Sequence, residues 1–168
     1  KTVQTTQQAE SILKIGISDF DNINPLITKN EDIISISTIL YQPLLELTSD
    51  YGIELKLAEE WSKSDGITYL VKLKDGIKWE DGTNVTGQDV KFTIERLQEG
   101  ESVYSDNVEN IKSVEIIDGN TVRINLKAEE PFFEYNLIFP IISSTQFANE
   151  DFYKSRLAPI ATGMYKVS

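Results

Sequence analysis

Apolar and polar residues alternate along several short runs of this chain and fall at helical spacing in a few others. LKIGIS, residues 13 to 18, sets Leu13, Ile15 and Ile17 against Lys14, Gly16 and Ser18, which predicts a strand with one buried face. DFDNINPLITKNE follows as a loop, because Pro25 and its Asp and Asn neighbours disfavour regular structure. From Asp32 the run DIISISTILYQPLL predicts a short helix that opens on an acidic cap and ends at Pro43. LLELTS, YGIELKLAEEWSKSD and GITYLVKLKDG read as strands and turns. In the last of these Ile67, Tyr69, Val71 and Leu73 share a face while Lys72 and Lys74 point outward. SVEIIDGNTVRINLK holds two alternating runs joined across Asp118-Gly119-Asn120, residues that take positive φ cheaply, so a hairpin is expected. EEPFFEYNLI predicts a short helix with Pro131 near its first turn, and STQFANEDFYKS a helix or helical turn.

The densest stretch is KWEDGTNVTGQDVKFTIERL, residues 78 to 97. Asp81-Gly82-Thr83 is a turn signal after Trp79, and Thr86 to Asp89 has the spacing of a capping box. Val90, Ile94 and Leu97 then fall on one helical face, with Phe92 off it, so the helix is expected to be covered on two sides. Asn84-Val85-Thr86 also fits the glycosylation acceptor pattern, but its threonine already serves as the cap.

Composition narrows the chemistry. The chain is 40% hydrophobic and 26% charged over 168 residues, enough to bury a core. It contains no histidine and no cysteine, which removes cysteine nucleophiles, histidine bases, Ser-His-Asp triads and most zinc sites. A net charge of -11 without a basic patch argues against nucleic acid. No run approaches the roughly 18 apolar residues of a membrane-spanning helix. The opening KTVQTTQQAESILK is polar and lacks the apolar core of a signal peptide; residues 1 to 12 are expected to be a flexible lead.

Two carboxylate patterns invite chemistry. Asp19 and Asp21 have the first spacings of a calcium loop, but Ile23 stands where an oxygen ligand belongs and Asn30 where the bidentate acid does. Glu31-Asp32, Glu59-Glu60 and Glu129-Glu130 are adjacent acids, a pattern more often a solvated face than a hydrolytic pair. No catalytic residue, metal ligand or cofactor is expected. Tyr104, in a loop after the long helix, suits either a ligand platform or a lid on the core.

The order of the pieces carries more than any one of them. LAEEWSKSDGITYLVKLKDGIKWEDGTNVTGQDVKFTIERL resembles the signature region of the family 5 extracellular solute-binding proteins, the oligopeptide, dipeptide and nickel receptors of ABC importers. Trp61, Asp75, Gly76, Lys78, Trp79, Asp81, Gly82, Thr83, Thr86, Asp89, Val90, Glu95 and Arg96 match it in register. INPLITKNEDIISISTILYQPLL, VEIIDGNTVRINLKAEEPFF and APIATGMYKVS extend the likeness over residues 13 to 168. Asn24, Pro43, Ala161 and Met164 depart from the family's Asp, Gly, Gly and Pro.

The resemblance implies a mixed α/β (α+β) fold of the periplasmic-binding-protein-like type II class, in which a bilobed receptor encloses solute and passes it to a membrane permease. Residues 13–41 would form the first part of lobe I, 42–158 the extra domain that enlarges it, and 159–168 a return strand, with this chain an N-terminal fragment. Lys29, Asn30 and Glu31 would line the cleft and Tyr104 would lie over a bound peptide. A monomer outside the cytoplasmic membrane, periplasmic or lipid-anchored, is expected. Nickel chelate or sugar as ligand, a carboxylate glycosidase and a surface adhesion module remain alternatives.

Overall fold

The computed structural model describes residues 12–149, 151–163 and 165. The expected lead at 1–12 lies almost wholly outside the described residues, as does much of 164–168.

The first helix, α1, spans Glu31–Leu40 and begins one residue before the expected start. Its cap is Asn30, whose side chain accepts from the Ile33 N–H at 3.1 Å, while Glu31 and Asp32 occupy the first turn and favour the positive end of the helix dipole. Asp32 cannot cap because its carboxylate is taken by the Ser18 N–H and hydroxyl, at 2.9 and 2.6 Å. Ile33, Ser37 and Leu40 form the buried stripe. The expected strand at 13–18 does not form. Leu13 and Ile15 are 55% and 47% exposed, and no strand among the described residues lies alongside to complete a ladder.

Two antiparallel sheets follow. β1 (Leu45–Leu47) pairs with β2 (Ile53–Leu55), placing Glu46 opposite Glu54. β3 (Ala58–Asp65), β4 (Thr68–Leu73), β5 (Ile111–Ile116) and β6 (Thr121–Leu126) form a four-stranded sheet in the order β3-β4-β6-β5. Tyr69, Val71 and Leu73 of β4 and Val122, Ile124 and Leu126 of β6 turn to one face and are buried, the period-2 pattern read from the sequence. Ile67, placed on that face by its spacing, precedes the strand and is 43% exposed. The β5–β6 hairpin forms without positive φ at its turn. Asp118 makes the turn instead, its carboxylate accepting from the N–H groups of Asn120 and Thr121 at 2.9 and 2.8 Å.

Across the sheet lies α2 (Gly87–Glu99), buried through Val90, Ile94 and Leu97. Gly87 is where helix meets sheet: a Cβ there would stand 2.8 Å from Val122 Cγ1. On its other side Phe92 stacks on Phe147 and meets Phe152 edge-on, so the helix is covered twice, as its sequence implies. A short helix α3 (Ser105–Val108) and a 3₁₀ turn at Phe133–Asn136 complete the regular structure, the latter being the form taken by the short helix expected for EEPFFEYNLI. STQFANEDFYKS contributes turns, including a helical one in which Ser155 N–H reaches Asp151 O at 2.9 Å.

One side chain joins these parts. Asp89 is 2% exposed, yet its two oxygens accept from Thr86 N–H (2.8 Å), Thr86 hydroxyl (3.3 Å), Trp79 Nε1 (3.4 Å), and the Ser144 N–H and hydroxyl (2.8 Å each). It caps α2, pins the WEDGT turn and fastens the segment around residue 144. Asp89→Ala strips these donors of their acceptor at a buried site, and should lower unfolding stability by about 3 kcal/mol in urea titration.

Candidate functional site

The segment after the 3₁₀ turn shapes an open concavity at the end of α1. Thr93, fully buried on α2, accepts from the Ile142 N–H at 3.1 Å, and Asp89 holds Ser144, so residues 142–144 are fixed to the helix. Just upstream, Ile141 N–H donates to Gln42 O (3.2 Å), Pro140 bridges Pro43, and Leu45 N–H donates to Leu137 O (3.2 Å). The same ribbon therefore lies beside residues 42–45, where α1 gives way to β1. Residues 159–163 close the other side. Tyr41 hydroxyl donates to Pro159 O at 2.7 Å, Gln42 N–H to Thr162 hydroxyl at 3.1 Å, and Gly163 N–H to Leu40 O at 2.8 Å.

Between these walls is an open cavity of about 310 Å³. Its apolar lining includes Ile39, Pro43 and Ile138, its polar lining Ser37, Gln42, Glu46 and Lys56, and three tyrosines, Tyr41, Tyr104 and Tyr165, complete it. An apolar hollow with a few convergent polar groups is the usual form of a ligand site. Burial pushes the Tyr41 hydroxyl well above the ordinary phenol range, with the Glu80 charge adding to the effect. Burial also raises Tyr104, and a hydrogen bond with the Ser37 side chain pulls the other way. Both therefore stay neutral donors at physiological pH.

Tyr104 is placed by its own loop. Ser102 Oγ accepts from the Tyr104 N–H at 3.3 Å, and Ser105 hydroxyl donates back to Gly100 O at 3.1 Å, so the tyrosine sits at the start of α3 facing α1. Lys29, Asn30 and Glu31 are not among the cavity's lining residues. Asn30 is spent on structure: besides capping α1, its amide donates to Asp19 O at 3.1 Å. Lys29 reaches Glu101 at 3.3 Å, tying its loop to the one that carries Tyr104, while Glu31 is exposed on the first turn of α1. That ion pair is solvent-exposed and contributes under about 1 kcal/mol.

The Asp19/Asp21 loop is held from within. Asp21 accepts from Thr28 hydroxyl (2.5 Å), Asn22 N–H (2.8 Å) and Lys29 N–H (3.0 Å), which hold its carboxyl below the usual range, the Thr28 bond foremost. Among the described residues no three acids gather as metal ligands.

Sequence reasoning missed Glu46 and Lys56. They lie on the β1–β2 hairpin, where the cross-strand acids Glu46 and Glu54 share one ammonium: Lys56 Nζ is 2.6 Å from the first and 3.1 Å from the second. Like charges directly opposite each other repel, and Lys56 offsets that repulsion; the strand register that brings the three together leaves no mark in the local sequence, where each reads as a surface charge.

Residues 52–168 match the bacterial extracellular solute-binding proteins, family 5, in its middle region. The glutathione-binding protein GsiB of Escherichia coli (strain K12) is 30% identical over 161 aligned residues, 93% of this chain and 31% of that one. NikZ from Campylobacter jejuni, solved in complex with Ni(L-His), superposes with a TM-score of 0.77 at 30% identity over 89% of this chain and 31% of its own. The oligopeptide-binding protein AppA from Bacillus subtilis, solved with a nonapeptide, gives 0.76 at 28% identity over 91% and 32%. The chain thus spans about a third of the length of the curated relatives it matches, 31% in the case of GsiB.

The cavity's edge near α1 depends on a close backbone approach. A Cβ at Gly163 would collide with Ile39 O, so Gly163→Ala should break the Gly163–Leu40 hydrogen bond and cost about 2 kcal/mol, read as a lower melting temperature.

Proposed function

The chain belongs to the bacterial extracellular solute-binding proteins of family 5, and on that footing we propose that it serves in the substrate-binding component of an ABC importer, capturing an extended oligopeptide between two lobes for delivery to a membrane permease. The observation that carries this reading is the Tyr104 cavity. It is a pre-formed, tyrosine-walled hollow of about 310 Å³ beside the turn where α1 ends. Its fold is mixed α+β, and its solved neighbours include one bound to a nonapeptide.

In this reading residues 13–41 begin lobe I, 42–158 form an added domain, and 159–168 return into the lobe. The backbone of Lys29, Asn30 and Glu31 meets the ligand's main chain at the cleft edge, and Tyr104 lies against a ligand side chain; the Lys29–Glu101 pair supports their working together. Main-chain hydrogen bonds supply affinity that does not depend on peptide sequence, and roomy pockets accept varied side chains. Closure of the second lobe desolvates those bonds and strengthens them.

The protein acts by binding alone. These 168 residues hold no histidine and no cysteine, and so none of the usual nucleophile and base pairs. It works as a monomer outside the cytoplasmic membrane, free or lipid-anchored. Among the described residues no helix is long and apolar enough to cross a membrane. Its net charge of -11 disfavours nucleic acid.

A nickel chelate is the second reading, favoured by the likeness to the Campylobacter protein bound to Ni(L-His). Calorimetric titration of the complete gene product with short mixed peptides, and separately with nickel and histidine, decides between them. Saturable heat with peptides, weakened about tenfold by Tyr104→Ala, is expected. Heat with the nickel complex alone would replace the peptide assignment.

A further inference from the structure

We infer that the Tyr104 cavity receives a positively charged ligand group, a lysine- or arginine-type side chain, with Glu46 as its anionic partner and the tyrosines as its walls. This rests on the peptide reading above.

The charge balance of the cavity points this way. Of the residues that line it, Glu46 is the acid and Lys56 the base. Lys56 is not available to an anion. Its ammonium is divided between Glu46 Oε2 at 2.6 Å and Glu54 Oε1 at 3.1 Å, and those bonds, the one to Glu46 foremost, hold it protonated. Two carboxylates sharing one ammonium leave the Glu46–Glu54–Lys56 group with a formal charge of minus one. The Glu46 side chain is 51% exposed, and the ion pair engages only its Oε2, so its second oxygen can accept from a donor entering the cavity.

The remaining walls suit the same guest. Tyrosine faces attract ammonium and guanidinium groups through the ring quadrupole while their edges pack the aliphatic stem. The neighbouring cation, Lys29, is paired with Glu101, and Glu80 stands close enough to Tyr41 to act on its hydroxyl. An anionic side chain would meet Glu46, and among the described residues that line the cavity the base, Lys56, is already shared by two carboxylates. The overall charge of -11 adds a long-range pull on cationic ligands that salt would screen.

The test is calorimetry on the complete gene product with lysine, alanine and glutamate tetrapeptides, so that every position along the ligand is covered. The lysine peptide should bind about tenfold tighter than the alanine peptide, and the glutamate peptide weaker than both. Glu46→Gln should reduce the lysine advantage to a few-fold. Glu99→Gln, which alters an acid paired with Arg96 on α2, should leave that advantage intact. Equal affinity for the lysine and alanine peptides, or a preference that survives Glu46→Gln in a variant of native circular dichroism, overturns the inference while peptide binding stands. Should Glu46→Gln not fold, the comparison of the three peptides on the unaltered protein still decides. Silence with all three peptides overturns the peptide reading and this inference together.

Discussion

A buried carboxylate is tolerable only where its oxygens are fully engaged, and Asp89 meets that condition with donors from three separate parts of the chain. The requirement works in both directions. Trp79, Thr86 and Ser144 are held because Asp89 needs them, and Asp89 can be buried because they are there. From this point the organisation of the site follows. Ser144 and Ile142 are fixed to α2, the ribbon upstream of them lies beside residues 42–45, and the cavity opens between that ribbon and the end of α1. α2 itself contributes no lining residue; it sets the position of the wall.

The cavity is also a place where charge has been arranged rather than avoided. Glu46 opposite Glu54 is an unfavourable cross-strand pair, and the chain places Lys56 where one ammonium serves both. All of these groups are partly exposed, so the arrangement contributes little to folding; on the proposed reading its effect falls on what can enter. Tyr104 and Tyr41, both neutral, add apolar area with a polar tip, a combination that accepts varied guests without demanding one.

The parts of this fold that were legible are those in which neighbouring residues settle the outcome. The β5–β6 hairpin follows from two alternating runs and an Asp-Gly-Asn turn, and α2 from a capping box with apolar residues three and four apart. Where a partner distant in sequence decides, local pattern fails. LKIGIS alternates correctly but has no strand beside it among the described residues, and Asp32 lost the capping role to Asn30 because Ser18 claims its carboxylate. Half of Asp89's role was readable in the capping box; its bonds to Ser144 were not, since the two lie 55 positions apart. The cavity was illegible for the same reason, as its lining comes from segments at 37–46, 56, 104, 138–140, 163 and 165. Tyr104 could be singled out by its loop position, whereas Glu46 and Lys56 read as ordinary surface charges.

The central claim is that ligand is taken into the hollow where α1, the β1–β2 hairpin and Tyr104 meet. Backbone hydrogen exchange on the complete gene product, with and without saturating short peptide, tests it most directly. Slower exchange concentrated at residues 37–43 and 102–106 is the predicted result. Unchanged exchange there, with protection appearing only elsewhere in the protein, would contradict it.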